Sequence, residues 1–75
     1  MDTKIIILQC LSNGGWWPTS NVALACGLSL TNASELLRRY RRQALVTRQP
    51  DPTVPRGYLY HITDIGFERL EYLTS

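Results

Sequence analysis

Residues 20–43 read SNVALACGLSLTNASELLRRYRRQ, and their punctuation decides the fold. Ser20 is a good N-cap, and Val22, Ala23 and Ala25 behind it suit a short helix over 21–26. Gly27 can take the left-handed conformation that stops a helix in a sharp turn. Ser29 or Thr31 then caps a longer helix over 30–43. Two helices joined by a short glycine-containing turn make a helix-turn-helix unit.

Projected at about 100° per residue, the longer helix separates into two faces. Leu30, Ala33, Leu37, Tyr40 and Ala44 fall together with Leu36 on their flank, which predicts the core side. Thr31, Glu35, Arg38 and Arg42 fall opposite, flanked by Asn32 and Arg39 on one side and by Ser34 and Arg41 on the other. The exposed face therefore opens with short hydrogen-bonding residues and closes with arginines. That order suits a recognition helix, whose N-terminal turn enters the major groove where small polar side chains reach base edges. Arg38 is placed to touch a guanine edge or a phosphate, while Arg39, Arg41 and Arg42 are placed to hold the backbone. Glu35 can accept from a cytosine amino group or orient Arg38 or Arg39 through an exposed ion pair.

Working outward, Leu45–Gln49 and Gly57–Ile62 alternate and are rich in β-formers, so they read as the two strands of a hairpin spanning 45–62. Pro50, Pro52 and Pro55 forbid a central strand between them and mark the hairpin tip. Tyr58, Tyr60 and Ile62 share one strand face, with Leu59 and His61 on the other. Thr63 caps a last helix over 64–73, and Asp64 suits the positive end of its dipole. Upstream, Asp2 or Thr3 caps a first helix over 3–12, stopped by Asn13-Gly14-Gly15. Its apolar residues Ile5, Ile6, Ile7, Leu8, Cys10 and Leu11 exceed the single stripe of a surface helix, which implies burial on two sides. Trp16-Trp17-Pro18 reads as an extended connector covering the core edge, because the residue before proline is pushed out of helical geometry.

The chain has 75 residues, 44% hydrophobic and 19% charged, which predicts one folded domain rather than disorder. A chain of this size buries only about 60% of its unfolded surface, so a partner subunit would help it. The longest apolar run falls far short of a membrane span of about 20 residues and lacks a signal-peptide layout, so the expected location is the cytoplasm. Cys10 and Cys26 lack metal-ligand spacing; buried structural thiols are expected, with redox sensing or a disulfide as alternatives. Net charge is only +2, but six of the eight basic residues lie between Arg38 and Arg56, all arginine, against the single acid Asp51. Four arginines within five positions, 38–42, repel one another on a bare surface, and a polyanion relieves that repulsion. No glycine-rich phosphate loop is present, and the one histidine, His61, has no catalytic partner at useful spacing, so neither an enzyme nor a cofactor is expected.

In their order and spacing these elements resemble the winged helix-turn-helix transcriptional regulators, chiefly the MarR-like group with touches of the PadR-like one. Gly27-Leu28-Ser29 is similar to that family's turn between its motif helices. Leu37 and Tyr40 stand where its recognition helix carries core residues. Ala44-Leu45-Val46-Thr47-Arg48 resembles its Gly-Leu-Val-x-Arg entry to the wing, with Ala44 in place of glycine, so the helix exit is expected to need no left-handed residue. Tyr60-His61-Ile62-Thr63-Asp64-Ile65-Gly66 resembles the wing's exit, where Leu-Thr-x-x-Gly starts the next helix. The resemblance implies that Arg56 enters the minor groove. Val54 stands where an aspartate often braces that arginine, so the usual brace is absent. It also implies a pared-down member, without room for the long terminal helices of the full fold, like compact regulators of archaea and their viruses or plasmids.

The expected architecture is an α+β winged helix-turn-helix with three helices, a two-stranded wing and a C-terminal helix. The expected function is sequence-specific binding of double-stranded DNA by a transcriptional regulator. The homodimer expected of it forms through the first and last helices, with Phe67 and Tyr72 as spare apolar surface, and no small-molecule ligand is evident. The candidate DNA contacts are Ser20, Ser29, Thr31, Asn32, Glu35, Arg38, Arg39, Arg41, Arg42, Arg48 and Arg56. The alternative is a winged-helix protein-interaction module of a transcription or replication assembly, since fold alone does not settle function. RNA binding is disfavoured by the lack of an exposed aromatic platform beyond Trp16 and Trp17.

Overall fold

The Asp2 carboxylate accepts a hydrogen bond from the Lys4 backbone N–H at 2.9 Å and so starts helix α1, Thr3–Leu11. The computed structural model describes residues 2–75. After α1 come β1 (Trp17–Pro18), α2 (Thr19–Cys26), α3 (Leu30–Arg42), β2 (Val46–Pro50), β3 (Tyr58–Ile62) and α4 (Asp64–Thr74). The strands form one antiparallel sheet in the order β1-β3-β2.

Two of these elements differ from expectation. Trp17–Pro18 is not a free connector but an edge strand, pairing Trp17 with Tyr60 and Pro18 with Leu59, so the expected two-stranded wing roots in a three-stranded sheet. Proline enforces extended backbone before it and is tolerated at an edge, which makes the segment a strand once a partner lies alongside. Helix α2 starts at Thr19, capped by Pro18 without a side-chain hydrogen bond, so Ser20 lies inside the first turn and is not its cap.

The core joins Ile7, Leu8 and Leu11 of α1 to Val22, Leu37 and Tyr40 of the helix pair and to Leu45, Val46, Tyr60 and Ile62 around the wing base. Ile5 and Ile6 remain half-buried. Cys10 and Cys26 are free, partly buried thiols. Burial raises both above the usual thiol value, Cys26 to about 11 with the neighbouring Cys10 adding to the effect, which disfavours the reactive thiolate. Among the described residues no helix is long and apolar enough to cross a membrane, and no group of three or more His, Cys, Asp or Glu could hold a metal.

Helices α2 and α3 leave by the same device. Behind α2, Gly27 at φ +66° lets Leu28 N–H reach the Ala23 carbonyl at 2.9 Å. Behind α3, Ala44 takes φ +61°, its N–H reaches the Arg41 carbonyl, and Leu45 N–H reaches the Tyr40 carbonyl at 3.0 Å. This is the paired hydrogen-bond pattern of a Schellman end, and it corrects the expectation that alanine here meant a right-handed exit. The left-handed bend turns Ala44 outward, away from the core side on which helical projection placed it.

The junction between wing and α4 explains the Thr-x-x-Gly pattern. Thr63 Oγ1 accepts from Gly66 N–H at 3.0 Å, capping α4, and donates toward the Ala44 and Leu45 carbonyls at 2.6 and 3.0 Å. Gly66 is buried, and a β-carbon added there would strike the Leu45 carbonyl of the backbone. Glycine permits the approach that draws α4 onto the base of the wing.

Candidate nucleic-acid interface

Helix α3 is positioned from within by Ala33, Leu37 and Tyr40, all buried. Ser29 Oγ accepts from Asn32 N–H at 3.1 Å and caps its start. Lys4 of α1 reaches its far end, with Nζ 3.2 Å from Gln43 Oε1 and 5.4 Å from the centre of the Tyr40 ring. The opposite face carries Thr31, Asn32, Glu35, Arg38, Arg39, Arg41 and Arg42, all exposed. Three arginines occupy the last turn, where the helix dipole favours cations.

Leu30 is a correction to the helical projection. It is 58% exposed, although projection placed it on the core side. It lies roughly 50° from the mean direction of Ala33, Leu37 and Tyr40 at 100° per residue. It is also the first residue of α3. Edge position and helix end together bring it out beside Ser34 and Arg38, at spacings of four residues.

The wing approaches the same face. Arg48 on β2 lays its guanidinium over the Tyr58 ring, 3.8 Å from the centroid, and Nη1 donates to Tyr60 Oη at a long 3.4 Å. The stack holds a half-buried arginine extended at low entropic cost. At the tip, Asp51 accepts from Thr53 Oγ1 at 2.7 Å and from Thr53 N–H at 2.9 Å. These two bonds, the hydroxyl's first, hold its carboxyl below the usual range. Asp51 thus braces the tip at a place other than position 54. Arg56 is exposed at φ +62°, a left-handed conformation that costs a non-glycine residue about 1–2 kcal/mol.

Between α3 and the wing lies a cleft of about 310 Å³, lined on the helix side by Leu30, Ser34 and Arg38, on the wing side by Arg48, Asp51, Arg56 and Tyr58, and also by Ser20 of α2. Four expected contacts (Ser20, Arg38, Arg48 and Arg56) therefore surround one space. Thr31 and Glu35 line a shallower hollow next to it with Leu30, Ser34 and Arg38. Asn32, Arg39, Arg41 and Arg42 line neither, and the Ser29 hydroxyl is engaged as a cap. Leu30, Ser34 and Tyr58 were missing from the expected set. Their common signal is positional, since Leu30 and Ser34 precede Arg38 by eight and four residues on one helix stripe. Opposite this face, Trp16 stacks on His61 at 5.1 Å between centroids, and His61 Nδ1 lies 2.9 Å from the Gly15 carbonyl oxygen. Trp17 packs against the core. These contacts give both tryptophans and the histidine structural partners.

Two helices meeting at Gly27, followed by a hairpin and closed by a further helix, define a winged helix-turn-helix. Solved structures narrow the class. The PcaV transcriptional regulator of Streptomyces coelicolor superposes with a TM-score of 0.88 at 23% identity, over 99% of this chain and 54% of its own. MepR of S. aureus, solved as a complex with DNA, superposes with a TM-score of 0.84 at 22% identity, over 99% of this chain and 61% of its own. A MarR family protein from Bacillus stearothermophilus gives 0.82 at 20% identity, over 99% of this chain and 51% of its own. The chain has the winged-helix fold of the MarR-type transcriptional regulators, and it spans between half and three-fifths of the length of these structures. No family model and no curated protein matches the sequence. PcaV has also been solved with its natural ligand, so the fold gives no support to the expectation that a small-molecule ligand is lacking.

Proposed function

We propose that this chain is a sequence-specific double-stranded DNA-binding protein acting as a transcriptional regulator, with α3 in the major groove and the wing along the minor groove. The observation that carries this reading is the cleft in which Arg38, Arg48 and Arg56 converge from two elements onto one space. Guanidinium groups favour phosphate and guanine through forked hydrogen bonds. Thr31, Asn32 and Arg38 read bases, Glu35 orients Arg38 or Arg39, and Arg39, Arg41 and Arg42 hold the backbone. Arg56 reaches the minor groove. Ser20 and Ser29, at the starts of the two motif helices, contact the phosphates. MepR, of the same fold, is a DNA-bound precedent for such docking.

The active form is a homodimer joined through α1 and α4. The support is apolar surface without a partner, with Ile65 50%, Phe67 43% and Tyr72 77% exposed on α4. A two-fold dimer would read half-sites about 34–36 Å apart. Sedimentation at tens of micromolar should show twice the chain mass; a monomer would remove this part of the reading.

Binding to random duplex DNA should weaken steeply with salt, because each phosphate neutralised adds about 0.9 to the slope of log affinity against log salt. Affinity indifferent to salt would favour the protein-interaction module instead, for which Leu24, 86% exposed on α2, is a ready contact.

A further inference from the structure

Leu30 stands on the outward stripe of α3 with Ser34 and Arg38, and it lines both the wing cleft and the neighbouring hollow. It is a large apolar side chain, 58% exposed, within a face otherwise made of hydroxyls, an amide and charges. A single exposed leucine needs no explanation in general. This one occupies the first turn of the helix, the part that goes deepest when such a helix enters a groove. Thr31 and Ser34 beside it are too short to shield it.

The major groove of B-DNA offers hydrogen-bond donors and acceptors at every base pair and one apolar feature, the C5-methyl group of thymine. A leucine at the leading turn is costly against a guanine or cytosine edge, where it leaves polar atoms without partners. Against a thymine methyl it buries apolar surface on both sides. Arg38 lies eight residues on, about 12 Å along the axis at 1.5 Å per residue. The arginine therefore marks the outer limit of the same half-site.

We infer that Leu30 is a specificity-determining residue that reads thymine, packing against the 5-methyl group of one thymine in each half-site. This assignment rests on the DNA-binding reading above and adds to it the base that the leading turn selects. The leucine contributes shape and apolar contact, while the arginines of the cleft supply most of the attraction.

The test begins with a half-site selected from a random duplex pool. Each thymine is then replaced singly by deoxyuridine, which keeps the base pair and removes only the methyl. In the unaltered chain one thymine per half-site should lose about fourfold in affinity on replacement, the value of one buried methyl-sized group. In Leu30→Ala, thymine and uracil at that position should bind alike, with circular dichroism and melting close to those of the parent because the side chain is mostly solvent-exposed. Should that variant misfold, Leu30→Gln makes the same comparison with the side-chain length kept. Equal binding of thymine and uracil duplexes by the parent overturns the assignment, as does a uracil penalty that survives in Leu30→Ala. Salt-dependent binding with thymine–uracil parity removes only the role of Leu30, whereas failure to bind any duplex removes the DNA-binding reading and this inference with it.

Discussion

Helix α3 and the wing carry arginines into the same cleft but are held there in opposite ways. Helix α3 is fastened at its start by the Ser29 cap, at its end by the Schellman turn, and along its inner face by Ala33, Leu37 and Tyr40. The wing is fastened at its base, where Tyr60 and Ile62 are buried, and beyond Pro50 it relies on a few polar contacts. These are Asp51 with Thr53, Asp51 N–H to the Gly57 carbonyl at 2.9 Å, the turn bonds from Val54 N–H to the Asp51 carbonyl and from Gly57 N–H to the Val54 carbonyl at 3.4 and 3.0 Å, and the Arg48–Tyr58 stack. Each region also contains one non-glycine residue at positive φ, Ala44 at +61° and Arg56 at +62°. In the helix the unfavourable conformation sits at a packing junction, where the Tyr40–Leu45 hydrogen bond holds it. In the wing it sits at the third residue of the turn Val54–Gly57, closed by Gly57 N–H to the Val54 carbonyl at 3.0 Å, and the arginine side chain there is exposed. Such a turn favours glycine at its third position, so the wing keeps an arginine where its backbone alone would take glycine.

The contrast can be broken most severely at the junction that joins the two regions. Gly66→Ala drives a β-carbon into the Leu45 carbonyl, which also accepts from Thr63 N–H at 3.1 Å and cannot withdraw freely. A loss of about 3 kcal/mol is expected, read as a lower melting temperature. Arg38→Ala should cost about 1–3 kcal/mol of DNA affinity and relax sequence preference at one position, seen by titrating variant duplexes. Fold stability should hardly change, because Arg38 is exposed.

The two left-handed residues sharpen the comparison further. Arg56→Gly should stabilise the fold by about 1 kcal/mol, through relief of the left-handed cost offset by glycine's greater chain entropy. It should at the same time weaken DNA binding, chiefly at A·T-rich flanks where a narrow minor groove favours arginine. Ala44→Gly should stabilise by about 0.5–1 kcal/mol for the same reason and leave DNA affinity unchanged. Denaturant melts and binding isotherms on the two variants would separate a left-handed residue whose side chain binds DNA from one that only shapes the backbone. Equal effects on binding would erase the distinction. The smallest expected effect is one of pH. The Asp51 carboxyl lies lower when folded than unfolded, so its contribution is present above the usual carboxylate range and lost as pH falls through its folded value. Amide exchange at Thr53 should quicken in acid while the amides of α3 stay protected.

Much of the fold was legible because each boundary carries local chemistry. Gly27 stops one helix, Ser29 starts another and Thr63 a third, and these are short-range hydrogen-bond or dihedral effects. The start of α2 lies ahead of the capping serine, because Pro18 in extended geometry already sets the turn. The third strand was not legible, because Trp17-Pro18 becomes a strand only when Tyr60 and Leu59 lie alongside. In the candidate site, arginine content and helical spacing pointed to the exposed face of α3, while membership of the cleft did not follow from spacing. Arg48 and Arg56 join Arg38 through the fold of the wing, and Arg39, Arg41 and Arg42 stay outside it.

Taken alone, the order of residues determined which side chains share a face, where most helices begin and end, and that most of the positive charge is arginine gathered in one quarter of the chain. Those properties depend on periodicity and on contacts a few residues long. Tertiary structure decided how far the core extends along α3, and so whether Leu30 faces inward or out. It decided that alanine at position 44 turns left-handed, because the Tyr40 carbonyl and Leu45 N–H must meet before the wing can begin. It also decided that three arginines from two elements face one space. Local spacing sets direction around a helix axis, but burial depends on what packs against that direction, and only the folded chain supplies it.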